Sequence, residues 1–244
     1  MKEKISIVIP TLNEERYLKR LLDSLRPCQD CIQDITIVDG RSTDGTLEVV
    51  RTFAAANGRF KVKSLLSDKR NVGYQRNMGA AAAASPLLLF LDADVVVSSN
   101  AALQTLVARF TSGGYATASV RFAPVEKDWR GSLYFTVLYI FHKIMVHLSP
   151  YALGACLITT RSTFSKVNGF DPSIAIDEDA NYCLRASRCG RFGILPVTIL
   201  LSTRRFRQYG YFRMGLWYLY IFFRRTFGGE IRRHRVPYDF GNFA

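Results

Sequence analysis

Residues 87–97 read LLLFLDADVVV. Five consecutive large apolar residues leave no polar face. A strand built from them must therefore be covered on both sides, as in a parallel sheet flanked by helices. The run ends in two carboxylates, and the two-residue period of a strand sets Asp92 and Asp94 on the same side of the chain. Like charges held that close repel unless a cation lies between them.

The preceding residues supply the covering helices. KISIVIP (4–10) is a β-branched run stopped by proline, and NEERYLKRLLDSL after it spaces Tyr17, Leu18, Leu21, Leu22 and Leu25 along one helical face. DITIVD (34–39) is a second strand, and Ser42 or Thr43 can cap the helix TLEVVRTFAAA. FKVKSLL (60–66) is a third strand, followed by the helix GYQRNMGAAAAAS. Alternating strands and helices predict a parallel sheet, whose ligands gather at the carboxyl ends of the strands. Pro10 to Glu14, Asp39 to Asp44 and Asp92 to Asp94 all fall there. From about residue 110 the pattern loosens: YATASVRF reads as a strand, 128–148 as an aromatic-rich helix and LGACLITT as a strand before a further helix. DEDANYCLRASRC (177–189) carries acids early and arginines late, which suits a helix and its dipole.

With 244 residues, no repeat and no Pro/Gly-marked linker, one domain is expected. MKEKISIVIP has no long apolar segment of the signal-peptide kind, which makes a cytoplasmic location the expectation, with the cytoplasmic face of a membrane also open. The five cysteines are irregularly spaced, and Cys28 and Cys31 lack a second metal-binding half, so reduced thiols in a loop are expected. Lysine and arginine number 33 against 20 acids, a net +13. Residues 204–235 hold nine arginines and one acid, or 9 − 1 = +8 of that excess. Such a tail suits an anionic partner: nucleic acid, a phosphorylated substrate or a membrane surface.

Taken singly, each acidic cluster has a structural explanation. Asp39 can close a turn, Asp92 and Asp94 can end a strand, and Glu178 and Asp179 can complement a helix N-terminus. Convergence of three such groups at one sheet edge, in a cationic protein, points to function instead. Paired carboxylates suit Mg²⁺ or Mn²⁺, which keeps coordination sites for phosphate oxygens and water and neutralises a diphosphate leaving group.

Read in order, IVIPTLNE (7–14), IVDGRSTDGT (37–46), VGYQRNMGAAAA (72–83), FLDADV (90–95), VNGFD (167–171) and DEDANYCLRASRCG (177–190) resemble the family 2 glycosyltransferases of GT-A fold. The resemblance runs over roughly residues 4–205. It implies an α/β fold with a mixed, mainly parallel sheet flanked by helices. Residues 1–205 would form the transferase domain, 1–110 binding nucleotide and 111–205 the acceptor and base, with a basic aromatic extension over 206–244. The implied reaction is inverting, metal-dependent transfer of a hexose-type sugar from a nucleoside diphosphate to an acceptor hydroxyl.

Carried over residue by residue, the resemblance has Pro10, Thr11, Leu12 and Glu14 lining base and ribose, and Asp39 accepting a hydrogen bond from the base. Asp92, with Ala93 beside it, faces the ribose or sugar; Asp94 is the direct metal ligand, with Asp92 as its companion. Either Arg70 or Arg76 contacts the nucleotide or diphosphate. Asp179, second acid of the ED pair, is the general base that a weakly nucleophilic sugar hydroxyl requires. Arg204, Arg205 and Arg121 stand where enzymes glycosylating polyprenyl phosphates hold phosphate groups, which makes a lipid phosphate the alternative acceptor, although those enzymes generally lack the ED base.

The implied partners are a nucleotide-sugar donor and a glycan or lipid-linked acceptor, with no nucleic acid. YFRMGLWYLYIFF (211–223) is too short and interrupted to span a bilayer. It can lie in a membrane interface, dock on the domain core or meet a second subunit. LYFTVLYIFHKIMVHL (133–148) is expected to line an acceptor groove, with His142 and His147 structural. Two rival classes fit less well. A nucleotidyltransferase would show a glycine-rich loop after its first strand, and a basic nucleic-acid-binding protein leaves the acids unexplained.

Overall fold

The protein is described by a computed structural model covering residues 3–146 and 150–232. In chain order its elements are β1 (Ile5–Thr11), α1 (Glu15–Leu25), β2 (Ile32–Asp39), α2 (Thr46–Ala55), β3 (Lys61–Leu66), α3 (Val72–Ala82) and β4 (Leu87–Leu91). There follow β5 (Val95–Val96), α4 (Asn100–Ser112), β6 (Tyr115–Pro124), α5 (Trp129–Met145), β7 (Cys156–Thr160), α6 (Arg161–Lys166) and β8 (Ile174–Ile176). The last are α7 (Glu178–Ala186), β9 (Arg191–Leu201), α8 (Arg204–Tyr209), α9 (Tyr211–Gly228) and β10 (Ile231–Arg232).

Eight strands form one mixed sheet in the order β3-β2-β1-β4-β7-β6-β9-β5. The N-terminal strands β3, β2, β1 and β4 run parallel. Strand β7 reverses direction between β4 and β6, and β9 returns parallel to β6. The apolar run that demanded two covered faces has them: Leu87, Leu89 and Leu91 enter the core layer that holds α1 and α4, while Leu88 and Phe90 enter the opposite layer with Phe170 and Tyr182. Each such side chain, fully buried, contributes about 1.5–3 kcal/mol. Helix α3 lies tight on the sheet because Gly79 has no side chain; a Cβ there would sit 2.3 Å from Val8 Cγ1.

Several local expectations are corrected. Pro10 lies inside β1 rather than ending it. Pairing with β4 stops at Val8, so beyond it β1 pairs only with β2, and a residue without an N–H is tolerated. Ser42 does not cap α2, because its N–H and hydroxyl both donate to Asp39; Asp44 instead accepts from the Thr46 N–H and hydroxyl. Cys28 and Cys31 are in no disulfide and lie buried in the core rather than exposed in a loop. The described part of the C-terminal extension packs on the domain: Phe206, Ile221, Phe222 and Ile231 are buried, and β10 pairs with β8. His142 is buried against Tyr151 at 4.9 Å, and burial pushes its pKa down to about 4. His147 and the tail beyond Arg232 lie outside the described residues.

Candidate active site

The carboxyl ends of β1 and β4 open into a cleft of about 860 Å³. Two acid–arginine groups line it. At the first, Arg204 of α8 donates from both terminal nitrogens to Glu14, at 2.8 and 2.5 Å, and its Nε lies 3.2 Å from Asp94 Oδ2. Its guanidinium rests 4.2 Å from the centroid of the Tyr17 ring. The turn that delivers Arg204 is held by Glu126, which accepts from the Thr203 N–H and hydroxyl at 3.0 Å each, and by the Ser202 N–H donating to the Asp94 carbonyl. Burial pushes Glu14 up to about 7 against the pull of Arg204, and burial likewise raises Asp94.

At the second, Arg76 of α3 is 2 % exposed and donates to Asp92 and Glu178, both at 2.7 Å, and to the Gly154 carbonyl at 3.3 Å. Burial works against its charge, yet Asp92 and Glu178 outweigh it and hold the guanidinium more firmly protonated than usual. Asp179 accepts the Gly154 N–H at one oxygen and the Ala180 N–H, at 2.8 Å, at the other. A Cβ on Gly154 would lie 2.5 Å from Asp179 Oδ2 and 3.0 Å from Arg76 Nη2, so only glycine fits between them. Burial raises Asp179; burial, with Asp179 alongside, pushes Glu178 up to about 7 and Asp177 up to about 8.

The C-terminal segment ties this second group down. Asp177 immediately precedes α7 at φ 72°, a left-handed conformation uncommon for a non-glycine residue, and Arg225 of α9 faces it at 2.9 Å. Glu230 accepts from the Asn181 amide, and Ile231 pairs with Ile176. Arg225 also lies 5.2 Å from the centroid of the Tyr151 ring.

The cation that the strand end demands is thus present as two arginines, one for Asp92 and one for Asp94. Among the described residues no group of three or more His, Cys, Asp or Glu side chains is arranged to hold a metal. Mg²⁺ and Mn²⁺ need only one or two carboxylates when substrate phosphates and water complete the shell. Asp92, whose side chain is 35 % exposed, and Asp94 fit that minimal donor set, and both line the cleft.

Of the sequence-derived candidates, Pro10, Leu12, Glu14, Arg76, Asp92, Ala93, Asp94, Asp179, Arg204 and Arg205 line the cleft. Thr11, Asp39, Arg70 and Arg121 do not. Asp39 is fully buried, and its carboxylate accepts from Thr11 and Ser42 rather than facing outward. Arg70 is exposed ahead of α3 and donates to the Arg41 carbonyl. Arg121 is exposed, 5.5 Å from the Tyr139 ring centroid. Helix α5 contributes nothing to the cleft wall; α9 takes that place, through Leu216, Trp217 and Tyr220 among others. Sequence reading passed over Gly154 and Tyr151, and it placed Arg225 beside a lipid-facing segment, whereas Arg225 is buried against Asp177. Only Gly154, a glycine entering a buried strand, carries a local signal of close approach.

The family model for glycosyl transferase family 2 matches residues 6–168, more than half of the chain. A 4,4'-diaponeurosporenoate glycosyltransferase of Staphylococcus haemolyticus (strain JCSC1435) is 28% identical over 174 residues, covering 68% of this chain and 41% of the relative. A validoxylamine A glucosyltransferase of Streptomyces hygroscopicus subsp. jinggangensis (strain 5008) is 37% identical over 98 residues, 38% of this chain and 22% of the relative. The chain therefore spans less than half the length of these curated relatives. Among solved structures, the mannosyltransferase PcManGT from Pyrobaculum calidifontis, in complex with GDP-Man and Mn²⁺, superposes with a TM-score of 0.71 at 17% identity, over 88% of this chain and 65% of that one. Residues 1–349 of S. aureus TarS, in complex with UDP-GlcNAc, superpose with a TM-score of 0.65 at 17% identity, over 82% and 58%. The mixed sheet matches these GT-A structures, and the family match covers β1 to α6. This chain belongs to glycosyl transferase family 2 and has a GT-A fold.

Proposed function

We propose that the chain transfers a sugar, with inversion, from a nucleoside diphosphate to a hydroxyl of a glycan or lipid-linked acceptor, in a site that takes Mg²⁺ or Mn²⁺. The observation that carries this reading is that two acid–arginine groups line one cleft at the carboxyl ends of the strands. A nucleoside diphosphate needs apolar surface for its base and positive charge for its phosphates. Pro10 and Leu12 supply the first, Arg204 and Arg205 the second. Asp92 and Asp94 would hold the divalent ion, which when bound neutralises charge gathering on the departing diphosphate.

Asp179 takes the proton. The acceptor oxygen bonds to the anomeric carbon as its O–H proton passes to the Asp179 carboxylate, and the bond from that carbon to the phosphate oxygen breaks, its electron pair leaving on the diphosphate. Attack from the face opposite the nucleotide inverts the centre. The Gly154 N–H fixes one oxygen of Asp179, and burial lifts its pKa above the usual carboxylate range, which strengthens it as a base.

A second reading has a lipid phosphate as acceptor. It is favoured by Arg205 and Arg213, which line the cleft together with Tyr209, Trp217 and Tyr220. A phosphate is already ionised at neutral pH and needs no base. Peripheral membrane contact through the C-terminal helix accords with either acceptor.

The test is nucleotide release over a panel of sugar nucleotides with Mg²⁺ and Mn²⁺, followed by Asp179→Asn with the active donor. A hydroxyl acceptor predicts a fall of about 10²–10⁴ in transfer. Undiminished transfer removes Asp179 from the role and selects the phosphate acceptor. Release from none of the donors overturns the proposal.

A further inference from the structure

Two helices outside the sheet carry apolar side chains where water is expected. On α5, Trp129, Leu133, Val137, Ile140 and Ile144 are exposed at steps of three and four residues, one helical face. On α9, Phe212, Leu216, Leu219, Phe223 and Phe227 repeat the spacing, with Phe212 81% and Phe227 82% exposed. The helices run side by side: Tyr134 meets Tyr211 at 5.9 Å between ring centroids, and Phe141 meets Phe222 at 5.4 Å. Their seam is therefore packed while the two outer stripes remain open. Contiguous exposed apolar surface of this kind marks an interaction site.

Charge selects the occupant. Neither Trp129–Met145 nor Arg204–Gly229 contains an aspartate or glutamate. Arg130, Arg207 and Arg213 line a hollow with Trp129 and Phe212, beside the single acid Asp128, and Lys143 lies exposed on α5. A second copy would oppose these cations with the same cations, whereas an anionic bilayer meets both the apolar side chains and the charge. Exposed Trp129, Trp217 and Tyr220 are of the type that settles at headgroup depth. Among the described residues no helix is long and apolar enough to cross a membrane, so the contact is with one leaflet.

We infer that α5 and α9 together form a docking face for an anionic bilayer, and that the cleft receives its acceptor from that bilayer. Leu216, Trp217 and Tyr220 belong to both the cleft wall and the exposed surface, so an acceptor with a long apolar chain can keep its chain in lipid while its polar end reaches Asp179. Acceptor delivery rests on the proposed transfer reaction; docking does not.

Flotation with phosphatidylcholine vesicles, with and without phosphatidylglycerol, at low and high salt, tests the face directly. The full chain is expected to float with anionic vesicles, and added salt to weaken it. Val137→Glu/Ile140→Glu, at exposed sites away from the cleft, is expected to abolish flotation at an unchanged melting temperature. Arg130→Gln/Lys143→Gln is expected to weaken partitioning about fivefold for each charge removed. Recovery independent of phosphatidylglycerol overturns the proposal, as does wild-type flotation of both α5 variants. Concentration-dependent self-association abolished by Val137→Glu/Ile140→Glu overturns it in favour of a second copy. If flotation holds while no sugar nucleotide is consumed, the transfer reading fails and the docking face stands.

Discussion

The two groups lining the cleft use the same ingredients, carboxylates around an arginine, to different effect. In the Glu14 group, Arg204 arrives 190 residues away in sequence, keeps some exposure and lies against the open face of Tyr17. In the Asp179 group, Arg76 is enclosed, with Phe170 5.2 Å away and carboxylates on two of its nitrogens. A partly open guanidinium can exchange a protein carboxylate for a phosphate. An enclosed one is committed to its neighbours and fixes where they stand. An ion pair near a site is thus read by how much of it a ligand can reach.

The largest effect is expected in the enclosed group. Arg76→Met leaves the buried Glu178 without a counter-charge, and Asp92, half-buried, loses the same partner; breaking a buried pair costs about 3–5 kcal/mol. Chemical denaturation measures it; a loss below that of the equivalent Arg204 change would break the comparison. Gly154→Ala drives a methyl into Asp179 and Arg76. Overpacking of this kind costs about 1–3 kcal/mol, and transfer should fall while nucleotide affinity is retained, which separates the two groups kinetically. Arg204→Gln should weaken nucleoside diphosphate binding by roughly tenfold to a hundredfold, the range of a charge-assisted hydrogen bond. Calorimetric titration decides; unchanged affinity would reduce Arg204 to a structural ion pair.

The smallest effect is on pH dependence. Glu14 and Glu178 are held up to about 7 and Asp177 up to about 8, chiefly by burial. A carboxyl whose folded-state pKa is raised binds its proton more tightly when folded. Its contribution to stability is complete below the unfolded pKa, near 4, and is lost as pH rises through 7 and 8. The melting temperature should therefore be higher at pH 5 than at pH 8. Glu178→Gln and Glu14→Gln should each flatten part of that slope, and the relative sizes report how far each group is closed to water.

The units from β1 to β4 were legible because strict alternation of apolar runs and helical spacing is a local property. The second half was less so, and β9 shows why. Its sequence, RFGILPVTILL, contains Gly193 and Pro196, both poor strand residues. The ladder with β6 absorbs Pro196 at an irregularity, where Val120 pairs Leu195 and Arg121 pairs Thr198. The site divides the same way. Glu14, Asp92, Asp94 and Asp179 announce themselves in short motifs. Nothing near Glu14 signals that its partner is Arg204, and nothing near Asp177 signals Arg225, because those pairings exist only after the sheet has brought distant segments together. Arg70 and Arg76 looked equivalent in sequence; Arg76 lies on the buried face of α3, whereas Arg70 stands ahead of the helix and is exposed.

The tie between residues 225–232 and the segment 174–181 has a bearing on biosynthesis. The family match ends at residue 168, before either side of that tie has been made. A ribosome adds about 5–20 residues each second, so the N-terminal strands can assemble seconds before Arg225, Glu230 and Ile231 leave the exit tunnel. Until then Asp177 has no counter-charge from α9 and β8 has no partner in β10. The nascent chain can thus order β1 to β4 early, while Arg204 reaches Glu14 and Arg225 reaches Asp177 only after most of the chain has been made.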